Sequence, residues 1–402
     1  MKTSLRWSGA LAPLFLRWSI LSLALFTGAI TSFGQANGKL QIHYIDVSQG
    51  DGALLISPNG QTVMFDSGAK VAPHLVSAYL QQLGVTHIDF LITSHYHADH
   101  CGAVAELVAE VGLPGVAYDR GQPTNTVGTF SYYDGVMHSV RKTVMPGTSL
   151  ILDQGSANPV KIDFVADNGN GVATHDENDQ SVDCVVHFGD FDAEFGGDLS
   201  GFEHMTYHDI ETSVAPKVGQ VEVYKVHHHG SAHSTNTTWL STIKPKIGII
   251  SCGKNDYGHP TAETLTTLHD AGVVTYWTEV GQGVQPVQGQ DYIGGNIVVQ
   301  VPVGGSDFTV NFGTGQSQHY NSWGHDGAVA GGTTTSPTTA TTTVTTTATT
   351  TTAPAATTYV WSKKSHVYHY ADCSYANSIS AENRQTGTTP PADSTLHSGC
   401  PR

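Results

Sequence analysis

Thr93-Ser94-His95-Tyr96-His97-Ala98-Asp99-His100 decides how this chain is read. Three imidazoles and a carboxylate fall within six residues, directly after the apolar run Ile88-Asp89-Phe90-Leu91-Ile92. A strand ending in such a run delivers its side chains to a sheet edge, where a loop can wrap them around one or two divalent ions. Imidazole nitrogen with carboxylate oxygen suits Zn²⁺ first, with Mn²⁺ or Fe as alternatives. A solvated, His-rich turn is the competing account. Four ligand-type residues at H-x-H-x-D-H spacing favour the metal.

The flanks offer a scaffold for such a site. Leu40 to Val47, Ala53 to Ser57 and Thr62 to Asp66 read as strands, the last two joined by a Pro58-Asn59-Gly60 turn. Leu75 to Leu83 carries apolar residues at helical spacing and stops at Gly84, Ile88 to Thr93 reads as a strand, and Ala103 to Val111 reads as a helix. Periodicity alone gives a mixed α/β class with two buried sheets.

The H-x-H-x-D-H spacing resembles the signature of the metallo-β-lactamase superfamily, and three further stretches resemble one branch of it. Tyr44-Ile45-Asp46-Val47-Ser48-Gln49-Gly50-Asp51-Gly52 is similar to an F-x-D-V-G-Q-G-D-A opening. Val226-His227-His228-His229-Gly230-Ser231 is similar to V-P-H-H-G-S, and Ile250-Ser251-Cys252-Gly253-Lys254-Asn255-Asp256-Tyr257-Gly258-His259-Pro260 to I-S-x-G-x-x-N-x-Y-G-H-P. That branch includes the hydrolase domain of the DNA-uptake (competence) protein ComEC and its free-standing secreted relatives. Motifs in the expected order from about Leu40 to Gly283 make the match specific. The fold it implies is an α/β four-layer αββα sandwich.

The resemblance also implies a ligand set. His95 and His97 would hold a first metal, Asp99 and His100 a second, and Asp198, in Phe195-Gly196-Gly197-Asp198, would bridge both. His228 is the expected last ligand of the second metal and His229 its rival, because adjacent histidines at a strand end point in different directions. A third histidine for the first metal should lie between His100 and Asp198. His138, His175 and His187 are the candidates, while Asn178 and Ser181 resemble a polar run that this branch carries there. The ion count therefore stays open at one or two, the resemblance implying two Zn²⁺. Two ions about 3.5 to 4 Å apart would share a hydroxide and stabilise charge in the reacting centre. Asp99 would orient that hydroxide and carry its proton. His259 either donates to the substrate oxygen or leaving group or is a turn histidine bonded to backbone. Asp66 resembles the superfamily aspartate that ties the metal loop by hydrogen bonds.

Charge bears on partners. Eighteen basic against 34 acidic residues give a net charge of −16, so there is no broad cationic footprint for a nucleic-acid backbone. Lys225, Lys244, Lys246 and Lys254 flank the later motifs, where scattered lysines are usually solvated. The superfamily hydrolyses β-lactams, thioesters, lactones and phosphodiesters on one scaffold, so fold does not choose the substrate. The branch resemblance implies a phosphodiester, with extracellular nucleic acid first and a nucleotide or phosphocholine ester as smaller targets. A β-lactam or lactone hydrolase is one alternative, and a surface-binding protein with a vestigial core is another. The intact ligand run argues against decay.

Composition marks the seams. Residues 1–36 have Lys2, Arg6 and Arg17 ahead of the apolar run Ile20 to Ile30, then Gly34-Gln35-Ala36, the pattern of a secretory signal peptide. Export, with no stable membrane association after cleavage, is the expectation. The hydrolase domain is expected over 38–325. Residues 331–358 are almost entirely Thr, Ala, Ser and Pro, which cannot offset their ordering entropy and read as a linker. The last segment, 359–402, is too small to stabilise itself by apolar burial alone. His369, Cys373, His397 and Cys400 could form a structural zinc site there, or Cys373 and Cys400 a disulfide. Cys184 and Cys252 read as buried free thiols, and Cys101 as a bystander beside His100.

Overall fold

Alternation along β1 (Leu40–Tyr44) sends Leu40, Ile42 and Tyr44 to one face of a sheet and Gln41 and His43 to the other. The same period places Leu55 of β2 (Ala53–Ile56) and Val63 and Phe65 of β3 (Thr62–Phe65) beside them. The computed structural model describes residues 36–71, 74–123 and 128–324, with strand residues 359–362, 367–370, 384–387 and 395–396 beyond. The expected signal peptide and linker, and Cys373, His397 and Cys400, lie outside the described residues. Among the described residues no helix is long and apolar enough to cross a membrane.

Two sheets face each other. The first continues through β4 (Phe90–Ile92), β5 (Val116–Asp119) and β6 (Arg141–Thr143). The second takes β7 (Ser149–Leu152), β8 (Val160–Ala166), β9 (Asp183–Phe188), β10 (Phe191–Phe195), β11 (Val223–Lys225), β12 (Ile247–Ile250), β13 (Val274–Trp277) and β14 (Asp291–Ile293). β15 (Ile297–Val301), β16 (Asp307–Phe312) and β17 (Gln316–Asn321) return to the first sheet. The orders are β17-β16-β15-β1-β2-β3-β4-β5-β6 and β14-β13-β12-β11-β10-β9-β8-β7. Between them Leu40, Ile42, Phe65 and Ile92 pack with Val186, Phe195, Val223 and Ile249 in one core. Burying each such side chain contributes roughly 1.5–3 kcal/mol.

Helices cover both outer faces. α1 (Leu75–Leu83), α3 (Val104–Val111) and α4 (Gly128–Met137) lie on the first sheet, where Leu80, Leu107 and Tyr133 meet Leu54, Met64 and Leu91. α2 (Ala98–Cys101) is the short turn of the His-rich run, and its Cys101 points into this apolar layer. α5 (Glu211–Val218), α6 (Thr237–Ile243) and α7 (Ala262–Asp270) cover the second sheet through Val214, Trp239 and Leu268. The result is the αββα sandwich. Cys184 and Cys252 are free and buried, as the apolar runs imply, and Cys101 beside His100 is free and buried as well.

Topology decides where chemistry can sit. β3, β4 and β5 run parallel in one sheet and β10, β11, β12 and β13 in the other. Parallel strands leave loops at their carboxyl ends, where open α/β sheets place ligands. Asp66 follows β3, the His-rich run follows β4, Asp198 follows β10, His227 to His229 follow β11, and His259 lies beyond β12.

The chain divides into two compact units, Met1–Gly331 and Gly332–Arg402. In the second, β18 (Tyr359–Ser362), β19 (Val367–Tyr370), β20 (Arg384–Gly387) and β21 (Thr395–Leu396) form a sheet ordered β20-β18-β19-β21. His369 lies on β19, opposite Val360.

Candidate metal centre

The loop after β4 is held in shape by a carboxylate. Asp66 accepts hydrogen bonds from the backbone N–H of Ser94 at 2.8 Å, the Ser94 hydroxyl at 2.7 Å and Nδ1 of His100 at 2.9 Å. With Nδ1 of His100 engaged by Asp66, its Nε2 is directed to the other side. That atom lies 3.2 Å from a carboxylate oxygen of Asp198. The opening motif braces the same loop: Asp51 donates its N–H to the carbonyl of Asp99 at 3.1 Å, and a Cβ on Gly50 would sit 2.3 Å from that oxygen.

Two ligand clusters result. In one, Nε2 of His95 and Nδ1 of His97 are 3.0 Å apart and Asp198 completes the group. Ser181 and Ser94 hydroxyls stand 3.3 and 3.1 Å from Nδ1 of His95. In the other, Asp99, His100 and His229 bring their ligand atoms together. Asp198 stands between the two, reached through Gly197, where a Cβ would lie 2.7 Å from that of Ser94. His95, His97, Asp99, His100 and Asp198 thus meet at one place.

The sequence-expected His228 stands differently from His229. Both occupy left-handed backbone, with φ of 51° and 55°, so their side chains diverge. His229 donates from Nδ1 to the carbonyl of Ser251 at 2.9 Å, leaving Nε2 3.4 Å from Asp99 and 3.6 Å from Asp198. His228 comes within 3.8 Å of Asp198, joins neither ligand cluster and forms part of the cleft wall. The geometry therefore favours His229 over His228 as the last ligand.

None of the three histidines considered as a further ligand reaches the site. His138 is exposed on α4's C-terminal side beside Asp134, His187 pairs with Asp192 at 2.6 Å, and His175 is exposed. The polar run is there instead. Asn178 lines the cleft with Oδ1 unpartnered, and the Ser181 hydroxyl accepts from the N–H of Asp198 at 3.2 Å.

Burial without partners is what a cation would cure. Nε2 of His100, Nε2 of His229 and Oδ1 of Asp198 are buried and lack hydrogen-bond partners, a costly arrangement for polar atoms. Burial disfavours protonated His100, yet Asp198 and Asp66 override it and hold the imidazole well above its ordinary value. For His229 the same opposition, with Asp198 and Asp51 prevailing, gives about 10. Burial opposes the charge of Asp198 too, but the surrounding imidazoles keep it ionised, well below the usual carboxylate range. Positive charge is demanded at this point, and the donor set of imidazole and carboxylate fits one or two divalent ions.

Sequence reasoning left Asp51 without a role. Its carboxylate pairs with buried Lys225 at 2.6 Å and stands 3.3 Å from Nδ1 of His229. The signal lay in the quoted G-D-G motif. The cleft above the ligands, about 570 Å³, is lined by Gln49, Tyr207, His233, Tyr257 and His259 among others. Lys225, Lys244, Lys246 and Lys254 do not line it: Lys246 stacks on Trp323 at 3.7 Å, and Lys254 is exposed.

The chain is similar in part to several known proteins. Recombination protein 2 of Haemophilus influenzae is 25% identical over 236 residues, covering 57% of this chain and 26% of that protein. Competence protein ComA of Neisseria gonorrhoeae is 24% identical over 280 residues, covering 67% of this chain and 35% of that protein. The chain thus spans about a third or less of these relatives. A solved diphosphatase of the PhnP family aligns with a TM-score of 0.37 at 12% identity, covering 63% of this chain and 94% of that one. The model of the metallo-beta-lactamase superfamily matches residues 52–254, half of the sequence, and the chain belongs to that superfamily.

Proposed function

We propose that this metal-dependent hydrolase is an exported phosphodiesterase acting on nucleic acid or a smaller phosphodiester. The observation that carries the reading is the pair of adjacent ligand clusters at the floor of an open cleft, His95-His97-Asp198 and Asp99-His100-His229, with Asp198 3.2 Å from His100 and 3.6 Å from His229. The relatives named for recombination and competence support a phosphodiester over a β-lactam or lactone.

His95, His97 and Asp198 would hold one divalent ion, and Asp99, His100 and His229 a second, Zn²⁺ being the first choice. Bound there, the ions supply a water acidified to near-neutral pH and positive charge for the reacting phosphate. The chain does the rest. Asp99, partly open to the cleft, is kept ionised by His229 and His100 against the cost of burial, and would orient that water and take up its proton. His259 is 5.3 Å from His228, ring to ring, and forms part of the cleft wall. Burial, helped by the neighbouring imidazoles, pulls His259 down to about 3, so at pH 7 it is a neutral hydrogen-bond donor to a substrate oxygen.

Hydrolysis of bis-p-nitrophenyl phosphate tests the proposal. The expected result is turnover abolished by EDTA and restored by Zn²⁺ or Mn²⁺, with nitrocefin untouched. Nitrocefin turnover without phosphodiester cleavage would overturn it.

A further inference from the structure

Behind the metal centre, on the helix-covered face of the second sheet, lies a second group of ionisable side chains. Asp183 opens β9, Glu194 lies on β10, Glu211 begins α5 and His227 follows β11; all four are fully buried. His227 stands where the related motif has proline, so this imidazole is a feature of this chain.

Glu211 has partners for its charge. It accepts N–H groups from Thr235 at 2.6 Å and Asn236 at 2.7 Å, and Nδ1 of His227 at 2.8 Å. That last bond directs Nε2 of His227 toward Glu194, whose Oε1 is 3.0 Å away. Both Asp183 oxygens and Oε2 of Glu194 have no hydrogen-bond partner, and among the described residues no lysine or arginine pairs with either carboxylate. Ligand atoms of Asp183, Glu194 and His227 all lie within 4.8 Å of one another. One oxygen of Glu194 meets the His227 imidazole, while its other oxygen and both oxygens of Asp183 have no partner in a dry layer, an arrangement that is expensive unless a cation or protons fill it.

We propose that Asp183, Glu194 and His227 form a second, structural metal site that binds one Mn²⁺ or Zn²⁺ ion, with Glu211 orienting the imidazole. Two carboxylates neutralise a divalent ion, and a carboxylate that receives Nδ1–H is the usual outer partner of a metal-binding histidine. Backbone closes over the group: a Cβ on Gly196 would sit 2.3 Å from Nε2 of His227 and 2.6 Å from Oε1 of Glu194. An ion here ties β9, β10 and the start of α5 to the turn that presents His229, and stands beside the Gly196-Gly197 approach to Asp198.

The competing arrangement places protons on the same atoms, and it predicts a different response to Asp183→Asn. A neutral Asp183 is nearly isosteric with asparagine, so a proton-filled cluster would tolerate the change with metal content unaltered. The experiment uses the full chain carrying His95→Ala, His97→Ala and His229→Ala, equilibrated with Zn²⁺ or Mn²⁺, dialysed, and measured by elemental analysis. The expected result is one ion per chain retained beyond any held by the Cys/His tail, and one ion fewer once Asp183→Asn is added. Retention of no ion by the first variant, or unchanged content in the second, overturns the site. Should Asp183→Asn not fold, anomalous scattering from crystals of the metal-loaded wild type decides: a peak between Asp183, Glu194 and His227 is expected, and its absence rejects the proposal. The outcome is separate from the phosphodiesterase reading, since no turnover is measured.

Discussion

Nε2 of His229 lies 3.4 Å from a carboxylate oxygen of Asp99, and this contact joins the loop after β11 to the loop after β4 across the two sheets. Its Nδ1 is committed to the Ser251 carbonyl, which turns Nε2 toward Asp99 and Asp198. His229→Ala should therefore remove one equivalent of bound divalent ion and lower phosphodiester turnover by at least about 100-fold. His228→Ala should keep the full metal complement and lose only about 10-fold. Metal content and kcat of the two variants side by side check the assignment; equal metal loss in both would refute it.

Asp66 touches no reacting atom, yet it aligns His100 and Ser94 at once. Asp66→Asn preserves shape but replaces one accepting oxygen with an amide donor aimed at groups that also donate. The expected result is metal affinity weaker by roughly 10- to 100-fold, with turnover recovering at high Zn²⁺. Titration of the apoprotein with Zn²⁺ measures it directly, and an unchanged affinity would remove Asp66 from the supporting role.

Much of this was legible in residues 93–100, because ligand spacing in a loop after an apolar strand is a local property. The early strands and helices were legible for the same reason: alternation and helical spacing are written in consecutive residues, as in Leu75–Leu83. The choice between His228 and His229 was not, since it depends on left-handed backbone at both and on the Ser251 carbonyl, which arrives from another strand. Nor could spacing show that His138, His175 and His187 would stand away from the centre while Asn178 and Ser181 faced it. Lys225 looked like a surface lysine near a motif; its burial against Asp51 follows from the packing of two sheets.

That Lys225 to Asp51 pair, at 2.6 Å, is nearly closed off from solvent. Removing one partner leaves a buried charge with reduced compensation, at a cost of about 3–5 kcal/mol. Lys225→Met should destabilise the protein by about this amount. Adding Asp51→Asn should recover part of the stability, because the orphaned charge disappears with it. Urea denaturation of both variants and the double variant gives the coupling; simple additivity would mean the pair contributes nothing.

Glu222 provides a pH signature away from the metal centre. Its buried carboxylate accepts the N–H of Asp192 at 2.7 Å and of Trp323 at 2.7 Å, tying the strand that leads to the site to the segment after β17. Burial prevails over these two bonds and pushes the carboxyl up to about 7. A folded-state value raised above the unfolded one means that the folded protein holds the proton more tightly. Its stabilising contribution is complete below about pH 4.5 and is lost as pH rises through about 7, a change on the order of 3 kcal/mol. Glu222→Gln cannot ionise, so the variant should lose less stability than wild type between pH 5 and pH 8. Urea midpoints of the two proteins at both pH values measure the difference, in which the titration of the histidine-rich centre cancels. Parallel pH profiles would show that Glu222 is already ionised throughout that range.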